Sequence, residues 1–147
     1  MRGEEDACKC PQVLIVDHEP FNAIAVEGLL HMHNVGKVDK AYYGEDALRM
    51  VELNGMRGSL QNRELKSCKN HQSYKLIIVD KNMPLMGGVE FAKRVTKLYH
   101  DGHLPRKPML VMLMEDDLIS DTLSLEACNQ HDDGLFRQII IKPILNY

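Results

Sequence analysis

Apolar residues in this chain gather into short continuous runs, separated by stretches with helical spacing. The first run, QVLIVD at residues 12–17, is β-branched and ends in an acid. HEPFNAIAVEGLLHMH follows, with Phe21, Ile24, Ala25, Gly28, Leu29 and Met32 spaced for one helix face. Pro20 suits the first turn of that helix, where a missing N–H costs no intrahelical bond. A second extended piece, VGKVDKAY, leads into GEDALRMVEL, where Ala47, Leu48 and Val51 mark another helix. The third run is YKLIIVD, and beyond it Phe91, Val95, Leu98 and Tyr99 recur at i, i+4, i+7 and i+8. PMLVMLM is the fourth run, followed by DDLISDTLSLEAC, with Leu118, Thr122 and Leu125 or Ile119 and Leu123 as inward faces. QIIIKP is the fifth, and the sequence closes on ILNY.

Strands therefore alternate with helices, and the strands are apolar throughout instead of on every second residue. That pattern predicts a parallel sheet covered on both faces, an α/β doubly wound fold. A polar extension at residues 1–11 precedes it, and a polar, mildly basic insertion interrupts it at about residues 54–73. A loop that long is either solvated or functional, and its composition favours a solvated insertion. There are no internal repeats.

At 147 residues the chain is long enough for one domain with a real core. A net charge of −3 gives no general attraction to nucleic acid or anionic lipid. No apolar run reaches the roughly 18 residues of a membrane helix, so no membrane insertion is expected. The start, MRGEEDACKC, is not a secretory signal, so a cytoplasmic setting is expected. Of the four cysteines, Cys8 and Cys10 form a C-x-C that could chelate a soft metal with further ligands. The seven histidines are scattered, nothing else has metal-site spacing, and the expectation is ordinary thiols.

Three strand ends carry charge: Asp17 after the first, Asp80 after the third and Lys142 after the fifth. Open α/β sheets bind ligands beyond the carboxyl ends of their strands. Each charge alone is accounted for as a solvated strand end. If the three strands are neighbours, two carboxylates and one ammonium converge in one pocket. Such carboxylates favour a divalent cation, and a lysine beside them neutralises a phosphoryl group.

The stretches VLIVDHEPFN, IIVDKNMPLMGG and IIIKPI resemble the receiver domain of two-component response regulators, particularly receivers of hybrid histidine kinases. The resemblance runs from about residue 11 to the end, and its most specific part is DxxMPxMxG at Asp80. It implies a flavodoxin-like, five-stranded parallel sheet in the order 2-1-3-4-5. It also implies that Asp80 accepts a phosphoryl group from a phosphohistidine and that Lys142 contacts that group across a cis Lys142–Pro143 peptide. Asp17, Asp80 and the backbone carbonyl of Asn82 would surround Mg²⁺. The implied partner is a histidine kinase or phosphotransfer domain, and the chain itself is not expected to be an enzyme. Met83 and Pro84 shape the turn after Asp80, and one of Gly87 and Gly88 is expected to need a positive φ.

The sequence departs from the receiver pattern in three places. His18 stands where the resemblance expects a second acid, the direct metal ligand, and Mg²⁺ binds imidazole weakly. A protonated His18 could instead sit between Asp17 and Asp80 as a resident cation. Leu113, or Met114 one residue on, falls where a hydroxyl is usual, and Ile139 falls near the usual switch aromatic. After Lys142 only a few residues remain where a fifth helix is expected. An apolar strip beside the first helix should result, open to a dimer partner or a parent chain.

A competing expectation follows from these departures: a degenerate receiver that works by protein contact without phosphorylation. Enzyme readings fare worse. A haloacid-dehalogenase-type phosphatase needs a second acid two residues after its nucleophile, and position 82 is asparagine. Neither GxxxxGK[ST] nor GxGxxG occurs, and HEPFN is not a flavin-phosphate loop.

Overall fold

The computed structural model describes residues 8–56, 71–115 and 135–142. Within them lie β1 (Val13–Val16), α1 (Pro20–Met32), β2 (Val38–Ala41), α2 (Gly44–Met56), β3 (Leu76–Asp80), α3 (Gly88–His100), β4 (Met109–Met114) and β5 (Gln138–Ile141). Every strand pair is parallel, and the order across the sheet is β2-β1-β3-β4-β5. The expected strand order is therefore met.

Alternate residues of each strand feed two cores, which explains why the strands read as apolar throughout. One face presents Leu14, Val16, Ile77, Val79, Leu110, Met112 and Met114 to α2 and α3. The other presents Ile15, Ile78, Val111 and Leu113 to Ala23 and Val26 of α1. Helices on both faces spare a parallel sheet from facing water. Among the described residues, no helix is long and apolar enough to cross a membrane.

Three local expectations need correction. In α1 the inward residues are Ala23, Val26 and the partly buried Leu30, whereas Phe21 is 84% exposed, Ile24 56% and Met32 78%. This helix is apolar nearly all round, so periodicity alone chose the larger side chains, while small ones let the helix sit close to the sheet. The insertion begins later than expected: α2 runs on to Met56, with Asn54 buried and its Oδ1 accepting the Tyr74 N–H at 2.9 Å. Ser73 is buried as well, so both ends of the expected insertion belong to the packed fold.

The third correction concerns the turn after β3. Gly87 has φ −75° and Gly88 is not among the positive-φ glycines; the positive φ of this turn, 70°, belongs to Leu85. The glycines answer a different constraint, close approach. A Cβ on Gly88 would lie 2.5 Å from the Asp80 carbonyl oxygen, and one on Gly87 3.1 Å from that of Lys81. The Gly88 N–H donates to the Lys81 carbonyl at 2.9 Å, folding the turn tightly back under Asp80.

The expected helix at 116–128, most of the insertion, Cys68, Cys128, the Lys142–Pro143 peptide and the closing ILNY lie outside the described residues.

Candidate functional site

The register of the sheet brings the charged strand ends together. Val16 pairs with Val79, so Asp17 leaves β1 beside Asp80 at the end of β3. This is where the chain order reverses across the sheet, the position at which open α/β folds build ligand crevices. As the expected order requires, the fifth strand is not adjacent to the third; β4 lies between them. Two strand spacings are about 10 Å. The lysine stem spans the gap over the tip of β4, anchored by the Lys142 N–H donating to the Met114 carbonyl at 2.8 Å.

Lys142 Nζ donates to Asp17 Oδ2 at 3.1 Å and to Asp80 Oδ1 at 3.0 Å. Asp17 Oδ1 accepts the Glu19 N–H at 2.9 Å, which ties the pocket to the start of α1. His18 points its Nδ1 into the same space, 3.4 Å from Asp80 Oδ2 and 3.9 Å from Asp17 Oδ1. That nitrogen is buried and makes no hydrogen bond of its own. The side chains grade from sealed to open: 0% exposed for Asp17, 4% for Asp80, 12% for Lys142 and 35% for His18. An incoming group must therefore arrive on the imidazole side. Asn82 lies exposed in the turn two residues past Asp80.

Two carboxylates face one ammonium, and both titrations respond. Burial pushes the Asp80 carboxyl above its ordinary 3.8, and the nearby Asp17 charge adds to it, while the Lys142 hydrogen bond pulls the other way. Burial alone would lower the Lys142 ammonium, but its hydrogen bonds to Asp17 and Asp80 outweigh it and raise the group above 10.5. Burial thus governs Asp80, whereas the two facing carboxylates govern Lys142.

Asp17 and Asp80 offer the hard oxygens Mg²⁺ prefers, but His18 is a poor ligand for it. An octahedral, hard-oxygen ion has no use for the buried, orphaned imidazole nitrogen that stands between the two carboxylates.

Leu113 is the Cα partner of Asp80 across the β3–β4 pair, 1% exposed, with its carbonyl accepting the Lys81 N–H at 2.8 Å. An apolar side chain thus stands where the receiver pattern expects a hydroxyl. Ile139 is half-buried and packs on the α2–α3 core. Sequence reading missed two things at this site. The backbone bond from Glu19 to Asp17 has no side-chain signal, and the open edge belongs to His18 only because Asp17 is sealed.

No known protein-family profile matches the chain, and no curated protein matches it significantly. Many solved structures do. One is the receiver domain of the histidine kinase CKI1 from Arabidopsis thaliana complexed with Mg²⁺, at TM-score 0.68 and 19% identity, covering 89% of this chain and 82% of that one. Another is the signal receiver domain of a signal transduction histidine kinase from Syntrophus aciditrophicus, at TM-score 0.62 and 18% identity, covering 91% and 80%. A response regulator receiver domain from Clostridium thermocellum gives TM-score 0.60 and 18% identity over 92% and 84%. The chain has the fold of response-regulator receiver domains.

Proposed function

We propose that this chain is a receiver domain of a two-component phosphorelay, taking a phosphoryl group on Asp80 from a phosphohistidine of a histidine kinase or phosphotransfer domain. The observation that carries the reading is Lys142 Nζ held between Asp17 and Asp80, 3.1 and 3.0 Å from their oxygens, at the switch point of the sheet. A carboxylate oxygen of Asp80 attacks phosphorus, the P–N bond of the donor breaks, and the departing donor imidazole takes up a proton. The product is an acyl phosphate. Phosphoryl transfer needs positioning and charge neutralisation more than covalent chemistry, and Lys142 supplies both from the strand-5 side. His18 stands on the open side, its Nδ1 3.4 Å from Asp80 Oδ2, where it faces an incoming group. The chain is a relay partner and not an enzyme on this reading, and it works in the cytoplasm, where ATP-dependent kinases phosphorylate their histidines.

Mg²⁺ binds weakly here, because His18 replaces an oxygen ligand. The His18→Asp variant should bind Mg²⁺ at least tenfold more tightly than the wild type; equal and tight binding by both would remove the role given to His18.

The main test is intact mass after treatment with a small phosphodonor. One phosphate should appear on the wild type and none on Asp80→Asn. A wild type and a His18→Asp variant that both stay unmodified, yet still bind a histidine kinase or phosphotransfer domain, would support instead a receiver acting by contact alone.

A further inference from the structure

Cys8 and Cys10 lie before β1, and His71 lies before β3, at the N-terminal edge of the sheet and opposite the acid pocket. The parallel pairing of β1 with β3 brings the two lead-in segments side by side. One ligand atom from each of Cys8, Cys10 and His71 lies within 4.8 Å of the others. Cys8 Sγ is 3.7 Å from His71 Nδ1. A tetrahedral ion holding sulfur at about 2.3 Å and nitrogen at about 2.0–2.1 Å separates the two by about 3.6 Å. The Cys8–His71 separation thus already matches one edge of a zinc tetrahedron, with Cys10 within 4.8 Å of both.

The second ring nitrogen decides what the first can do. His71 Nε2 is 2.7 Å from the backbone carbonyl oxygen of Asn54, which can only accept. The proton therefore sits on Nε2, and Nδ1 turns its lone pair toward the sulfur. Metal-bound histidines are oriented in this way, by donating the other N–H to a carbonyl or carboxylate. Asn54 is itself fixed, with its Oδ1 holding the Tyr74 N–H at 2.9 Å. On the sulfur side, the Gln72 N–H donates to Cys8 Sγ at 3.4 Å, a bond suited to a thiolate. Cys8 and Cys10 also line a cavity with Lys9, Lys37 and Lys75, so the two sulfurs border solvent-accessible space.

We infer that Cys8, Cys10 and His71 form a binding site for a soft or borderline divalent cation, Zn²⁺ being the natural occupant, which fastens the N-terminal extension to the segment entering β3. Binding converts two thiols to thiolates and releases two protons, so the three ligands and the ion together are neutral. Imidazole and thiolate select against Mg²⁺ and Ca²⁺. Among the described residues these three groups supply the ligands.

The test uses the full chain, stripped by a chelator under reducing conditions and titrated with Co²⁺ and then Zn²⁺ alone. One equivalent of Co²⁺ should produce a thiolate-to-metal charge-transfer band in the near ultraviolet, and Zn²⁺ should abolish it. Zn²⁺ should also protect two of the four cysteines from a thiol reagent. Cys8→Ser and Cys10→Ser should each weaken Zn²⁺ binding by more than about 100-fold, since even an outer partner is worth 10–100-fold. His71→Ala should weaken it too, and His18→Asp should not. A missing charge-transfer band overturns the inference, as do binding that survives both serine variants, binding that follows His18, and a Cys8–Cys10 disulfide that resists reduction. Circular dichroism on each variant separates loss of the site from loss of the fold.

Discussion

At the C-terminal edge of the sheet, Asp17, Asp80 and Lys142 gather oxygen and ammonium in a nearly sealed pocket. At the N-terminal edge, Cys8, Cys10 and His71 gather sulfur and imidazole on half-buried segments. The first group grows directly from strand tips, so sheet register alone places it. The second stands on lead-in segments held by a few bonds, such as the Lys75 N–H to the Gln12 carbonyl at 2.8 Å. One edge is preorganised by the strands themselves; the other brings three metal-ligating groups within 4.8 Å on less firmly held segments. Changes in charge should therefore dominate at one end, and presence of metal at the other.

The largest effect is expected for Lys142→Met, which leaves Asp17 and Asp80 facing each other without a cation. Removing one partner of a buried pair costs about 3–5 kcal/mol, and at 12% exposure Lys142 belongs near the lower figure. Urea unfolding at neutral pH reads it, and adding Asp80→Asn should recover much of the loss. The pH sense follows from the raised ammonium. Lys142 stabilises fully below its unfolded value of 10.5, and that contribution fades only as the pH climbs through the higher folded value. A Lys142→Met protein as stable as the wild type would deny that Lys142 offsets the two carboxylates.

Next is metal removal at the bottom edge. Zn²⁺ at 100 times its dissociation constant should stabilise the chain by about 2.7 kcal/mol, read as a chelator-sensitive melting temperature. The same experiment on Cys8→Ser should show no chelator effect, and on Lys142→Met an undiminished one.

Asp80→Asn should melt a few degrees higher than the wild type at pH 7. Folding raises the Asp80 carboxyl above 3.8, so the folded state holds its proton more tightly. Stability from this group is thus greatest in acid and declines as the pH rises through the range above 3.8. The advantage of the variant should vanish near pH 4, and an advantage independent of pH would point away from charge burial.

The smallest change is expected in the turn beneath Asp80. Leu85 is 99% exposed, holds φ at 70°, and closes a tight turn in which the Met86 N–H donates to the Pro84 carbonyl at 2.8 Å. A left-handed conformation costs a non-glycine residue about 1–2 kcal/mol, partly offset by the flexibility glycine adds to the unfolded chain. Leu85→Gly should gain roughly 0.5–1 kcal/mol by thermal melting, with Asp80 phosphorylation intact.

Much of the top edge was legible beforehand because a strand is short and its last residue has one place to go. QVLIVD, YKLIIVD and QIIIKP mark Asp17, Asp80 and Lys142 without any knowledge of contacts. The face of α1 was not legible: its six spaced apolar residues and the true inward set, Ala23, Val26 and Leu30, satisfy helical periodicity equally well. The role of Gly88 was legible as a need for glycine, but its cause is a carbonyl 2.5 Å from where its Cβ would be.

By itself, then, the order of apolar runs and punctuating charges determined an alternating α/β chain and the identity of the acid pair and the lysine. Local periodicity and strand length carry that information within a few residues. Tertiary structure alone decided that Lys142 reaches across β4, that Leu113 sits opposite Asp80, and that His71 meets Cys8 across 63 positions of chain. Contacts of that separation depend on which strands pair and in which register, and no local pattern of residues encodes either.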